Sequence, residues 1–317
     1  MKTVLITGAA GFIGSHLAEA LLARGDTVVG LDCFNDYYDP AIKRRNIAPA
    51  LANPRYRMIE ADICNRDAVF ETWREVRPDV VVHLAARAGV RPSLEQPHLY
   101  YQVNIDASEN ILEACRETKP SHLVFASSSS VYGGSTQVPF REDDPVMGPV
   151  SIYAATKRMN ELQAHVHSTL YGLHVSMMRF FTVYGPRQRP DMAINLFTER
   201  MLAGQSIPMF GDGSTRRDYT YIDDIVQGLV AAVDRPFRFE IFNLGESHTT
   251  SLRELIDLIG EALGVVPQIE QKPMQPGDVP LTYADISKAK ALLDYAPKTD
   301  MRTGLAHYAQ WRKALTR

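Results

Sequence analysis

The stretch Val4-Leu5-Ile6-Thr7-Gly8-Ala9-Ala10-Gly11-Phe12-Ile13-Gly14 decides how the chain is to be read. A short β-rich run turns through three glycines into residues 12–23, where Phe12, Ile13, Leu17, Ala20 and Leu21 recur at helical spacing. Gly25 ends that helix. In such a strand–turn–helix, Gly8 permits the tight turn and Gly11 lets backbone amides approach a pyrophosphate. Gly14 lets helix and strand pack closely. The helix N-terminus adds unpaired N–H groups and partial positive charge for phosphates. Glycine-rich turns are common, so the surroundings must carry the argument.

Those surroundings agree. Asp32 ends a second strand, 27–31, 18 residues past Gly14. A carboxylate there takes the adenosine ribose hydroxyls and repels a 2′-phosphate, which favours NAD over NADP. Asp62-Ile63 follows a third strand, 56–59, where an acid accepts the adenine amino group or caps the next helix. Leu84-Ala85-Ala86 closes a fourth strand, 80–84, with small residues that suit a backbone passing close to a cofactor. His83 reads as a satisfied core histidine. Helices over 100–117 and 151–170 and strands over 122–126 and 174–180 continue the alternation. Runs of Val, Ile and Leu separated by helices predict a parallel sheet covered on both faces.

Past Tyr184 prolines and glycines cluster, with helices expected over 193–202, 223–233 and 251–263. The last opens on Ser251-Leu252-Arg253-Glu254, a capping-box spacing. The expected fold is α/β. A Rossmann-type doubly wound parallel sheet forms an NAD-binding domain over 1–180, and a smaller mixed α/β substrate-binding domain occupies most of 181–317. Segments are expected to cross between them.

Composition removes other classes. Of 317 residues 45% are hydrophobic and 22% charged, as in ordinary globular proteins. A net charge of −3 offers no electrostatic case for nucleic acid or an anionic membrane. Cys33, Cys64 and Cys115 form no CxxC and read as small buried residues of a reducing compartment. His165, His167 and His174 lack ligand-type spacing with Cys or Asp, so no metal is expected. Met1-Lys2 and the apolar run after it resemble a secretory signal, but the glycines interrupt it and no cleavage site follows. No window approaches the roughly 18 apolar residues of a membrane span. The expectation is a soluble, cytoplasmic protein.

Two patterns carry chemistry. Tyr153-Ala154-Ala155-Thr156-Lys157 places a phenol and an ammonium on one helix face. An unperturbed phenol, with a pKa of about 10, is too weakly acidic to serve as a base at neutral pH. A nearby cation moves it towards usefulness. Lys157 can also hold a nicotinamide ribose. Phe125-Ala126-Ser127-Ser128-Ser129-Ser130-Val131-Tyr132-Gly133 leaves the end of a strand, the side of an open α/β sheet where ligands bind. A hydroxyl there can bridge a substrate alcohol to Tyr153.

Taken together, the glycine turn, Asp32, the SSSSVYG run and YAATK resemble the extended short-chain dehydrogenase/reductases that modify nucleotide sugars. The resemblance spans essentially the full length. It continues through the Arg179 to Met192 stretch RFFTVYGPRQRPDM and then Arg217-Asp218-Tyr219-Thr220-Tyr221-Ile222-Asp223-Asp224. Asn35-Asp36-Tyr37-Tyr38, the Phe180 to Pro186 segment and Met274-Gln275-Pro276-Gly277-Asp278-Val279-Pro280 resemble the UDP-glucuronate 4-epimerases most closely.

This resemblance implies NAD as cofactor, with Phe12, Ile13 and Asn104 joining the cofactor contacts. It also implies a homodimer, built from the helix after Pro97 and the Tyr153 helix. The implied reaction is 4-epimerisation of a UDP-sugar, UDP-glucuronate to UDP-galacturonate, through a transient 4-keto intermediate. Tyr153 takes the 4-hydroxyl proton, relayed through Ser128. Ser129 and Ser130 stand where dehydratases carry Asp-Glu and decarboxylases a Glu, and losing a general acid opposes both reactions.

UDP-glucose 4-epimerases carry Asn where Thr182 stands. Thr182, Ser129 and Ser130 can hydrogen-bond a carboxylate on carbon 5, with Arg189 a second contact, a phosphate contact or a structural residue. Family position implies Arg217 for the diphosphate, Asp278 for the UDP ribose and Phe210 for uracil. Surface exposure of Arg217 and core packing of Phe210 are the plainer readings. Gln275 replaces an Arg of glucose-type relatives and leaves one phosphate contact unassigned. UDP-glucose/UDP-galactose interconversion is the alternative enzyme, and a non-catalytic NAD-dependent sensor the alternative from another class.

Overall fold

In the computed structural model, residues 1–274 and 279–315 are described. Six strands follow the expected alternation: β1 (Thr3–Thr7), β2 (Thr27–Asp32), β3 (Tyr56–Glu60), β4 (Val80–His83), β5 (His122–Ser128) and β6 (Val175–Phe180). A seventh, Phe239–Leu244, comes from beyond residue 180 and pairs with β6. All pairings in this sheet are parallel, and β1 lies between β2 and β4. From one edge the order is Phe239–Leu244, β6, β5, β4, β1, β2, β3. The chain winds outward in opposite directions from β1 and β4. Their C-terminal ends therefore flank the crevice where such sheets bind ligands.

Period-two alternation along the strands sorts the core into two layers. Val4 and Ile6 of β1, with Val80, Val82, Val124 and Met178, share one cluster with Leu17 and Leu21 of the first helix and with helices of the second half. Leu5, Val81, Leu123, Phe125 and Met177 face the other way, onto Trp73, Ile111 and Leu112. The helices Ile222–Asp234, Leu252–Leu263 and Met301–Ala314 thus share a core with the dinucleotide half.

Helix starts obey their capping residues. Ser151 accepts from the Ala154 amide at 3.0 Å to open the helix Ile152–Tyr171. Ser251 and Glu254 form the reciprocal capping box expected for Leu252–Leu263. The smaller region uses short pairs: Ile207–Phe210 parallel to Ile269–Lys272, and Arg216–Arg217 antiparallel to Thr250–Ser251. Asp218 ties it together. Buried beside Arg217, it accepts from the amides of Glu246 (2.7 Å), Ser247 (3.1 Å) and Ala284 (3.1 Å). Among the described residues, no helix is long and apolar enough to cross a membrane.

Candidate active site

A cavity of about 610 Å³ runs across the C-terminal ends of β1, β2, β4 and β5. Its wall at one end holds Gly8, Gly11, Phe12, Ile13, Gly14, Asp32, Asp62 and Ile63. Leu84, Ala85 and Ala86 line the middle. Ser128, Ser129, Ser130, Tyr153, Lys157, Thr182 and Arg189 line the other end. Residues spread over 180 positions of sequence are brought to one crevice by the winding of the sheet.

The nucleotide end is shaped by backbone. Gly8 has φ +71°, and a Cβ on it would stand 2.8 Å from the Ala85 amide, so a side chain is excluded twice over. A Cβ on Gly14 would meet the Gly8 carbonyl oxygen at 2.3 Å, so the close packing expected there is against the turn itself. Gly11 caps helix α1 (Phe12–Ala23) without a side-chain bond, and no acid lies in the first turn. The first amides of α1 are thus left for an external anion.

Asp32 is almost buried. Its Oδ2 accepts from the Ala10 amide (3.2 Å), and its Oδ1 from the Phe34 amide (2.9 Å) and the Lys43 ammonium (3.1 Å). Asp62 Oδ1 accepts from the Cys64 amide at 2.9 Å, whereas Asn65 caps the following helix. Of the two readings of Asp62, the cap is therefore taken by its neighbour. A glycine-lined, uncapped helix start beside a buried carboxylate fits a dinucleotide.

Cys33 and Cys64 are not buried as expected. They are half-exposed and line this end of the cavity, while Cys115 alone is in the core. His83 is the satisfied core histidine that was expected. Its Nδ1 bonds Thr7 Oγ1 (2.6 Å), its Nε2 bonds Ser108 Oγ (3.1 Å), and burial followed by the Lys157 charge lowers its pKa to about 3.

The chemical end is shaped by side chains. Ser127 spends its hydroxyl on Glu161 (2.7 Å), and Ser128 accepts from the Ser130 amide (3.2 Å) to start the short turn Ser129–Tyr132. Burial raises the Tyr153 phenol above its ordinary value, against which hydrogen bonding with Ser128 and then the Arg189 charge pull it down. Lys157, expected to bring positive charge near the phenol, donates to the Ala126 carbonyl at 2.9 Å, and the Arg189 charge also bears on Tyr153. Burial lowers Lys157 to about 8, with Glu161 opposing.

Glu161 is held in turn by a bidentate, fully buried bond from Arg179 (2.8 and 2.9 Å). Arg189 is itself fixed by Asp191 through two bonds, 2.9 and 2.7 Å, and its guanidinium lies 5.4 Å from the centre of the Tyr37 ring.

Asn104, expected at the cofactor, does not line the cavity. It is fully buried in one turn of π-helix, Gln102–Asp106, accepting from the Arg87 amide (2.8 Å) and donating to the Arg87 carbonyl and Thr156 Oγ1 (both 3.0 Å). It clamps the Ala85-Ala86-Arg87 backbone to the helix that carries Tyr153.

Phe210 and Arg217 also lie outside the cavity wall. Phe210 carries the Arg91 guanidinium 5.2 Å above its ring, and Arg217 donates to the Arg216 carbonyl at 2.9 Å. Asp278 and Gln275 lie outside the described residues. Sequence reasoning passed over Lys43 and Arg87, which line the cavity, and treated Tyr37, Tyr38 and Asp191 only as parts of motifs. The Asn35-Asp36-Tyr37-Tyr38 stretch was the available signal.

Comparison with known proteins agrees with this geometry. The NAD dependent epimerase/dehydratase family matches residues 4–245. The chain is 44% identical to UDP-glucuronate 4-epimerase 4 of Arabidopsis thaliana over 327 aligned residues, covering 98% of this chain and 75% of that protein. The crystal structure of UDP-glucuronic acid 4-epimerase from Bacillus cereus, in complex with UDP-glucuronic acid and NAD, superposes with a TM-score of 0.93. It is 37% identical, with 99% of each chain covered. The UDP-glucose 4-epimerase of Thermotoga maritima, with UDP-glucose, gives a TM-score of 0.91 at 31% identity, covering 99% of this chain and 100% of that one. The chain belongs to the NAD-dependent epimerase/dehydratase family.

Proposed function

We propose that the protein is a UDP-sugar 4-epimerase whose substrate pair is UDP-glucuronate and UDP-galacturonate. The observation that carries this is the reacting end of the cavity, which Ser128, Ser129, Ser130, Thr182 and Arg189 line together with Tyr153. These groups donate hydrogen bonds and positive charge to an anionic substituent. Asp191, which also lines the cavity, is paired with Arg189. Positions 129 and 130 offer hydroxyls and no proton-donating acid, so elimination has no group to drive it.

The nucleotide end of the cavity fits NAD, which when bound supplies reversible hydride acceptance at the sugar's carbon 4. The chain's residues do the rest. Gly8, Gly11, Gly14 and the amides opening α1 hold the pyrophosphate. Asp32 takes the ribose, and Asp62 and Ile63 flank the adenine. Tyr153 removes the 4-hydroxyl proton with Ser128 bridging, and Lys157 holds a ribose and keeps positive charge nearby. The 4-keto sugar turns within the cavity and regains its hydrogen on the other face. Arg217, Phe210 and Asp278 are assigned to UDP by position along the chain. Anchoring through the nucleotide leaves the sugar free to present either face.

A homodimer in the cytoplasm completes the reading. Met159, Leu162, Val166 and Leu170 form an exposed apolar stripe along the helix Ile152–Tyr171. Their spacing of three and four residues matches the seam of a helix bundle. Light scattering should give twice the 35.4 kDa of one chain; a single-chain particle would contradict the dimer.

The function is tested by incubating purified protein with each UDP-sugar, without added NAD, and reading the anomeric proton signals. Interconversion of the two uronates is the expected result. Turnover confined to the neutral sugars would move the assignment to UDP-glucose 4-epimerase, the activity named for the Thermotoga maritima neighbour.

A further inference from the structure

The carboxylate that reads as the NAD-selecting residue is not alone. Lys43, in the first turn of the helix Pro40–Leu51, reaches back to Asp32 Oδ1 at 3.1 Å and to Asn35 Oδ1 at 3.4 Å. Its ammonium stands 5.4 Å from the centre of the Tyr38 ring. The side chains of Lys43 and Asp32 are only 9% and 5% exposed, yet both line the cavity.

A carboxylate at the end of the second strand excludes a 2′-phosphate by charge, and dinucleotide sites that accept one supply a basic residue nearby. Here that basic residue is already in place, its charge balanced by the carboxylate it touches. We propose that Asp32 and Lys43 form a cofactor-selecting pair in which Asp32 masks a latent 2′-phosphate site centred on Lys43. The proposal rests on the reading that Asp32 stands at the adenosine ribose.

The physical argument is one of compensation. A buried ion that loses its partner is costly until another counter-charge arrives. With Asp32 gone, the carbonyl of Asn35 and the face of Tyr38 still accept the ammonium, but neither neutralises it. A phosphate oxygen does so through a charge-assisted hydrogen bond. Selectivity therefore changes by removing one acid, with no base added. Conversely, removing Lys43 leaves Asp32 buried among backbone donors, which strengthens its repulsion of a 2′-phosphate.

The test titrates the full chain, freed of bound nucleotide, with 5′-AMP and adenosine 2′,5′-bisphosphate by calorimetry. Wild type should prefer 5′-AMP. Asp32→Ser should prefer the bisphosphate by about tenfold or more, the scale of one hydrogen bond to a charged group. Asp32→Ser combined with Lys43→Met should lose that preference. Continued preference of Asp32→Ser for 5′-AMP, or a bisphosphate preference surviving in the double variant, overturns the proposal. If Asp32→Ser does not fold, Lys43→Met alone decides: discrimination against the bisphosphate should grow, and unchanged discrimination overturns it. A wild-type chain that binds neither nucleotide overturns the ribose reading itself, and the proposal with it.

Discussion

The two ends of the cavity solve different problems. The nucleotide end is built of backbone: glycines where a Cβ would stand 2.3 to 2.8 Å from another atom, and uncapped helix amides, as a charged pyrophosphate would require. The chemical end is built of side chains whose charges are adjusted by burial and neighbours, as moving a proton would require. Substitutions should therefore act differently at the two ends. At the first they change cofactor retention and stability, and at the second chiefly turnover.

Tyr153→Phe gives the sharpest contrast. Turnover should fall on the order of 10²–10⁴-fold, the usual contribution of a positioned proton-transfer group. NAD content, read from the absorbance of the denatured supernatant, should stay as in wild type. Retained turnover would remove the assigned base, and lost NAD would blur the division between the ends.

Gly14→Ala tests the other side. The added methyl meets the Gly8 carbonyl and Ala9 Cα, at a cost of about 1–3 kcal/mol for overpacking. Lower NAD content and a lower melting temperature are expected together. An unchanged melting temperature with full NAD would show that the turn relaxes freely.

Asn104→Ala sits between the ends. Losing bonds to the part-buried Arg87 backbone and the Thr156 hydroxyl leaves polar groups unpaired, at about 1–3 kcal/mol. A lower urea midpoint with NAD retained fits a clamp, whereas NAD loss with unchanged stability would return Asn104 to the cofactor contacts.

The smallest effect is a pH dependence. Burial depresses Lys157 from 10.5 to about 8, so its ammonium is lost as pH rises through that value. Turnover that needs the cation should decline above pH 8, and a Lys157→Met variant should lack that limb. Stability moves oppositely, because between pH 8 and 10.5 the unfolded chain binds the extra proton, so folding gains with rising pH. A flat rate profile from pH 7 to 10 would show that the charge on Lys157 is not used.

The dinucleotide half was legible because its signals are local. The helix 12–23 and the strand runs of β1 to β6 followed from spacing and β-branched runs, with ends differing by one or two residues. The capping box at Ser251 followed from two side chains in one turn. What escaped depends on distance in sequence or on broken patterns. The helix Pro40–Leu51 carries Pro49 inside it, which pattern reading treats as a stop, and so Lys43 was missed. The seventh strand, Phe239–Leu244, follows Pro236 closely and finds its partner, β6, 64 residues away.

The site divides similarly. Tyr153, Lys157 and the serine run were visible as motifs. The approach of Arg189 to Tyr153, however, joins residues 36 positions apart on different elements, which no local pattern encodes. The bonding of Asn104 to the Arg87 backbone is tertiary, and no local pattern announces it.

The most direct measurement follows hydrogen at carbon 4. UDP-glucuronate incubated with the protein in D₂O should yield UDP-galacturonate that keeps protium at carbons 4 and 5, because the hydrogen leaving carbon 4 returns to it without meeting solvent. Deuterium at either carbon, or no galacturonate at all, would contradict the account.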